Sequence, residues 1–458
     1  MSMTCGLGAY PAIVKSLNDE REYRLITLDN GLRALLVSEL TGYIYGSDDE
    51  SDWSEESYSS TGSSDWSEES YSRTEDEELY KDIRYQRYHS QGCQSAAALC
   101  VGVGSFSDPD DIPGFAHFLE RMVLTERETY PLEKGFRYQI NNYGGSTDAR
   151  TDCERTVFSF DVERKHFRKS LDIFAKCFMS PHFLDENVER EVEVVNHEYR
   201  MALDEEHNRL YQLLSSCARP GHPMGKFMWG NIETLYYVPA KNNISIYEKL
   251  RDFYNRMYSA HYMTLAVQSK DTLDTLETMV RESFSGIPNN QMEQPNYSAY
   301  KDPFDTDLFR KLYKVIPLDD MNRLDIMWAF PPLHHCYRVK PLDYIASLML
   351  HEGRGSILSY LKKRNWVLQM TGGNYKRGFE MNSTWSSFCM SLTLTDQGME
   401  HIEDVCGGFF EYLAMLKSEG VKKWYFEDQR QIEQTKFTWK EQTRFQRNYQ
   451  SSDAMEIR

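Results

Sequence analysis

A chain of 458 residues with 40% hydrophobic and 13% aromatic side chains is long enough for two or three globular cores. Its formal net charge of −18 argues against nucleic acid as a partner, because binding phosphate needs a basic surface. No apolar run approaches the ~18 residues of a membrane span, and the first residues lack a basic start followed by an apolar stretch, so neither a membrane segment nor a signal peptide is expected. Nine cysteines, an odd count with no Cys-x-x-Cys pair and several in apolar runs, fit reduced, buried thiols in a cytoplasmic protein.

Residues 1–20 read as an N-terminal tail. A hairpin follows over 22–39, with Asp29-Asn30-Gly31 turning between two β-rich runs. The composition then changes. Residues 48–78 hold thirteen Asp and Glu against one basic residue, Arg73, which accounts for −12 of the −18. A nine-residue unit, Ser-Asp-Trp-Ser-Glu-Glu-Ser-Tyr-Ser, occurs at 51–59 and again at 64–72. With few aliphatic residues the segment 43–92 cannot bury enough surface to offset its ordering entropy, so it is expected to be a disordered acidic insert. A strand over 95–104 resumes the fold. Helices are predicted over 114–124 and 132–142, and a strand over 156–162. A helix over 164–179 places Phe167, Leu171, Phe174, Ala175 and Phe178 on one face. A long helix runs from Asp185, whose side chain can cap it, to about 215. Strand 262–268 and helix 271–285 close a first domain over 21–290. The polar stretch 287–295 is a linker. A second domain over 300–458 repeats the pattern, with strands near 307–316, 322–330, 366–371 and 383–394 and helices near 341–350, 356–364, 398–418 and 421–440. Several consecutive strands followed by long helices fit an α+β class, with helices packed on one face of a mostly antiparallel or mixed sheet in each of two related domains.

Chemistry concentrates at His117-Phe-Leu-Glu120-Arg121. The inverted zinc-protease signature is His-x-x-Glu-His on one helix. Positions 117 and 121 share a helix face, and zinc needs a lone-pair donor at each. Arginine has only N–H donors and a permanent positive charge, so Arg121 cannot be a ligand. The stretch from Gln94 to Glu120, the segment Gly145-Ser-Thr-Asp-Ala-Arg-Thr-Asp-Cys-Glu-Arg-Thr-Val-Phe158 and Ala218-Arg-Pro-Gly-His-Pro-Met-Gly-Lys-Phe227 closely resemble the nardilysin-like branch of the insulin-degrading-enzyme (pitrilysin) family. An acidic insert upstream of the motif is a feature of that branch too. The resemblance runs from about residue 10 to Thr443 and implies the N-terminal half of a two-half clamshell, with the second domain truncated.

The resemblance carries a site with it. It implies zinc held by His117, a second His and a distal Glu, and 77 positions after Arg121 that Glu is Glu198. It makes Glu120 the general base and Glu191, two helical turns before Glu198, a carboxylate that orients the site. This sequence keeps His117, Glu120, Glu191 and Glu198 and lacks one ligand, so zinc is expected to be weakly held or absent. His197 adjoins Glu198 but points about 100° away on a helix and is not expected to replace the lost donor. Relatives also follow the motif helix with a Gly, where this chain has Thr125-Glu126-Arg127, and carry Asn on the substrate-pairing edge strand, where this chain has Asp148 beside Ala149. In the second domain, Gly372 and Gly373 lie where relatives anchor a substrate's N-terminus on a strand edge. Such pairing uses free backbone groups and does not need the metal.

Three readings follow. One is a catalytically impaired peptidase homologue that binds peptides or basic partner proteins, with or without a complementary half or a second copy. Another is an active zinc metalloendopeptidase cleaving at basic residues. The third is an interaction protein whose acidic segment does the work. For the last, Ser47, Ser54 and Ser67 stand in acidic surroundings suited to acid-directed kinases. Each phosphate would add about −1.5 to −2 charges. Binding of a basic peptide to the intact chain is predicted to exceed binding to one lacking residues 47–78, and to weaken with salt as the Debye length shrinks. Equal affinities, or affinities indifferent to salt, would remove the segment from the function.

Overall fold

The computed structural model describes residues 13–40, 94–125, 135–179 and 183–440. The acidic insert and the last residues of the chain lie outside them. The elements of the first half are β1 (Glu22–Thr27), β2 (Arg33–Ser38), β3 (Gln94–Val101), α1 (Phe115–Val123), α2 (Gly135–Asn142), β4 (Ser146–Thr151), β5 (Thr156–Glu163), α3 (Arg164–Lys176), α4 (Asp185–Ala202), α5 (Glu206–Ser216), α6 (Ile246–Met257), β6 (Met263–Ser269) and α7 (Leu273–Phe284). The strands form one mixed sheet in the order β1-β2-β6-β3-β5-β4. Only β2 and β6 pair in parallel; the other neighbours are antiparallel.

Alternation along the strands explains how this sheet is covered. Ala97, Leu99 and Val101 of β3, Phe158, Phe160 and Val162 of β5, and Leu265 and Val267 of β6 point to one face and join one buried cluster. Against that face lie Phe167, Leu171 and Phe174 of α3 and Leu276, Val280 and Phe284 of α7. The motif helix α1 adds Phe115, Phe118, Leu119 and Met122 to the same cluster. One face of α1 is therefore fixed by the core, which leaves residues 117, 120 and 121 on the face toward α4 and the edge strand β4.

The second half repeats the layering on a smaller scale. It comprises β7 (Arg323–Phe330), α8 (Pro341–Met349), α9 (Ile357–Lys363), β8 (Val367–Gly373), β9 (Ser386–Leu394), α10 (Ile402–Glu419) and α11 (Lys423–Thr438), with an antiparallel sheet ordered β7-β9-β8. Its core joins Leu358, Leu361, Met390, Leu392, Val405 and Phe409. A third buried cluster spans the two halves, bringing Phe106, Cys153 and Met224 against Phe304, Phe379 and Trp385. Glu154 accepts hydrogen bonds from the Ser383 backbone N–H at 3.0 Å and from its hydroxyl, and Tyr211 bonds Glu380. All seven described cysteines are free. No helix among the described residues is long and apolar enough to cross a membrane.

Some sequence expectations are corrected. No strand forms over 307–316. Thr306 accepts the Phe309 N–H through its hydroxyl, and Asp305 pairs with Arg310, so local side-chain bonds give the backbone turns in place of a ladder. The helix predicted from 185 to 215 is two helices. The interruption falls at Leu203-Asp204-Glu205, where Glu205 is extended, and three consecutive acids from Asp204 to Glu206 are unfavourable at a helix C-terminus and favourable at the next N-terminus. The cap position of α4 is Leu184, one residue before Asp185. The N-terminal tail is also tied down from Ser16 onward: Leu17 N–H donates to Thr438 O at 2.9 Å, and Asn18 Nδ2 to Trp439 O at 3.2 Å, which clamps the end of α11.

The start of α1 depends on a backbone contact. Gly114 caps the helix at φ +86°, and a Cβ there would stand 2.2 Å from Gly230 Cα. Gly114→Ala combines a left-handed conformation with a backbone collision, and is predicted to cost about 2 kcal/mol or more. The check is a lowered thermal midpoint with α1 detached from Trp229; an unchanged midpoint would contradict the account.

Candidate functional site

The close approach of Gly114 and Gly230 has a consequence for His117. It brings the carbonyl of Trp229 to 2.7 Å from His117 Nδ1, so that nitrogen carries the proton and donates. The ring's other nitrogen, Nε2, then faces α4. The N-terminus of α1 is held from below by Asp108, whose two carboxylate oxygens each accept a backbone N–H, from Gly114 and Ala116, at 2.7 Å. Burial pushes the Asp108 carboxyl up to about 7 despite those two bonds.

Helix α4 presents Glu191 and Glu198 two turns apart, toward α1. Glu198 is bonded through both oxygens: Oε2 lies 3.3 Å from His117 Nε2 and Oε1 lies 3.1 Å from Arg121 Nη1. Arg121 Nε reaches Glu191 Oε2 at 3.4 Å, and Glu191 Oε1 lies 3.5 Å from Arg190 Nε. Arg121 thus bridges the two α4 carboxylates. Its two partners are Glu198 and Glu191, not Glu120. Glu120 turns to the edge strand, where its Oε2 accepts the Thr151 hydroxyl at 2.7 Å. His197 is exposed. Among the described residues, no group of three or more His, Cys, Asp or Glu side chains is arranged to hold a metal ion.

The electrostatics follow from these contacts. Burial alone would lower the pKa of His117, but the bond to Glu198, the charge of Glu120 and the Trp229 carbonyl outweigh it and raise it to about 9. Burial raises Glu120, opposed by His117, Thr151 and Arg121. For Glu198 burial is outweighed by the His117 bond and the Arg121 charge, and its pKa falls. An imidazolium therefore faces the ionised Glu198, with the Arg121 guanidinium between Glu198 and Glu191.

Beside this cluster lies a cleft of about 390 Å³, lined by Glu120, Arg121, Arg137, Ala149, Arg190 and Glu191 among others. Ala149 comes from β4, the edge strand of the large sheet among the described residues, so the edge strand and the motif helix share one opening. Asp148 is half-buried one residue away, and burial raises its pKa against the pull of Arg150 and Arg137. Gly372 and Gly373 belong to a different edge, that of β8 in the small sheet, and do not line the cleft. A Cβ on Gly372 would stand 2.4 Å from Cys389 O, and Gly373 has φ +122°, so both glycines are demanded by the β8–β9 pairing. Sequence reasoning missed Thr151, Trp229, Arg137 and Arg190. Trp229 contributes a backbone carbonyl, for which no side-chain pattern gives a signal.

The sequence profile of Insulinase (Peptidase family M16) matches residues 86–230, and that of the Peptidase M16 inactive domain matches residues 245–433. Nardilysin of Homo sapiens is 50% identical over 460 residues, covering 94% of this chain and 40% of that protein. The insulin-degrading enzyme of Drosophila melanogaster is 33% identical over 431 residues, covering 94% and 38%. The crystal structure of pitrilysin superposes with a TM-score of 0.76 at 26% identity, over 94% of this chain and 40% of that one. The chain spans about two fifths of the length of these relatives.

The raised pKa of His117 has a sign that can be tested. A histidine raised from its ordinary value of 6.5 to about 9 contributes stability in full below about 6.5 and loses it as pH rises through about 9. In labelled protein the His117 ring is predicted to stay protonated at pH 7.5, and Glu198→Gln to lower its titration midpoint. A midpoint at or below 6.5 in the parent would contradict the geometry.

Proposed function

The chain belongs to the insulinase (M16) peptidase family, and we propose that within it this protein is a catalytically impaired homologue that binds peptides or partner proteins. The observation that carries this reading is the Arg121 guanidinium, 3.1 Å from Glu198 and 3.4 Å from Glu191. The fit to zinc can be judged donor by donor. His117 Nε2 and Glu198 Oε2 are 3.3 Å apart, close to the spacing of two ligands on one tetrahedral zinc, about 3.4 Å for bonds of ~2.0–2.1 Å. Two donors are therefore suitably placed. The third position holds a group with no lone pair and a full positive charge, so the set does not fit the ion. The guanidinium instead supplies a positive charge between Glu198 and Glu191 in a partly buried place.

Peptide binding does not require the metal. Among the described residues, β4 at the cleft and β8 in the small sheet are edge strands, each with one side open to an extended segment. The partners proposed are peptides and basic proteins, the latter drawn by the acidic segment. The location proposed is the cytoplasm, where thiols such as Cys153, Cys177 and Cys217 stay reduced.

Zinc content after dialysis separates the readings. The parent is predicted to retain close to none and Arg121→His to approach one ion per chain, because its other donors keep their spacing. Near one ion per parent chain would overturn the proposal. Near-zero zinc in both would mean that decay of the site extends beyond Arg121.

A further inference from the structure

The cleft beside α1 carries a charge pattern that loss of a metal ligand does not explain. Arg121 from α1, Arg137 from α2 and Arg190 from α4 line it against two carboxylates, Glu120 and Glu191. Both carboxylates are already engaged, Glu120 by the Thr151 hydroxyl at 2.7 Å and Glu191 by Arg121 and Arg190 at 3.4 and 3.5 Å. Arg137 differs. It is exposed at the mouth, and among the described residues no carboxylate stands within ion-pair distance of it. Its charge exerts a lowering pull on the carboxyls of Asp148 and Glu198 without forming an ion pair with either. Asp148 adjoins Ala149 on β4 and so points to the other face of the strand, away from the opening.

We propose that this cleft receives a carboxylate carried on an extended peptide, with Arg137 as its principal contact, Arg190 as its second, and the peptide backbone laid along the free edge of β4. A guanidinium presents a planar fork that matches a carboxylate through two parallel hydrogen bonds. The cleft falls in the size range of small-ligand sites, which is about 300–1,000 Å³. An acidic group brings the lining to charge balance. A lysine or arginine side chain would add a fourth cation to three, so the ligand class preferred here is opposite to the basic partners that the acidic segment attracts. The carboxylate can be an acidic side chain or a free C-terminus; the recognising chemistry is the same. The inference rests on the peptide-binding reading above and names the ligand of that site.

Three end-labelled octapeptides distinguish the sources by fluorescence anisotropy: one with a central Glu pair and an amidated C-terminus, one uncharged with a free C-terminal carboxylate, and one with a central Lys pair and an amidated C-terminus. The protein is the full chain and its Arg137→Glu variant, whose exposed position spares the fold, as a circular dichroism spectrum and thermal midpoint would verify. The acidic segment draws the Lys peptide elsewhere, so the quantity read is dependence on Arg137. At least one of the first two peptides is predicted to bind the parent and to lose tenfold or more in affinity in Arg137→Glu, while the Lys peptide is not weakened; which of the two responds identifies the source. Anionic peptides that bind parent and variant equally would overturn the inference. So would a Lys peptide that alone depends on Arg137, a result that leaves peptide binding intact. No binding of any peptide to the parent would remove the peptide-binding reading as well.

Discussion

Two carboxylates, Glu191 and Glu198, project from one face of α4 toward the motif helix, and a cation has to stand between them. Unlike charges at 3–4 Å in a partly buried place attract by several kcal/mol at an effective dielectric of about 20, and two like charges left alone there would force one to take up a proton. Arg121 meets the demand with its Nε on one carboxylate and its Nη1 on the other. The rest of the site is arranged around that bridge. Glu198 is shared with His117, His117 is fixed by the carbonyl of Trp229, and that carbonyl arrives because Gly114 and Gly230 let two backbones touch. Removing one partner of such a buried pair leaves an uncompensated charge, which is why the cluster is best regarded as a single unit.

The scaffold delivers these groups without bending to suit them. The apolar face of α1 is fixed by Phe115, Phe118, Leu119 and Met122 in the main core, so the polar face has one direction available. Among the described residues β4 is the last strand of its sheet, with its outer side open beside the same helix. An edge strand, a cationic cleft and a charge cluster therefore coincide in one place. In the proposed reading the polypeptide retains the peptide-handling geometry of its family while the position of one donor has become a structural ion pair.

Much of this was legible in the residues, and the reasons differ by element. Strands β5 and β6 alternate strongly, and α3 and α7 place large apolar side chains at helical spacing, so their existence and approximate limits could be read directly. The motif and the spacing to Glu198 located the site. The errors came where local side chains compete with regular structure: Thr306 and Asp305 turn a segment that looked extended, and the acids from Asp204 to Glu206 break a helix that the apolar pattern continues. The partners of the site residues were harder still. That Arg121 takes Glu191, leaving Glu120 to Thr151, depends on how α1, α4 and β4 meet in space, and Arg137 became visible only as part of a cleft wall.

The central claim, that a guanidinium stands where the family places a metal, is tested most directly by anomalous diffraction at the zinc edge from crystals of the parent chain equilibrated with excess zinc. The account predicts no anomalous peak between His117 and Glu198, with Arg121 still bonded to Glu191 and Glu198. A peak at about 2.0–2.1 Å from His117 Nε2, with Arg121 swung away from Glu198, would contradict it.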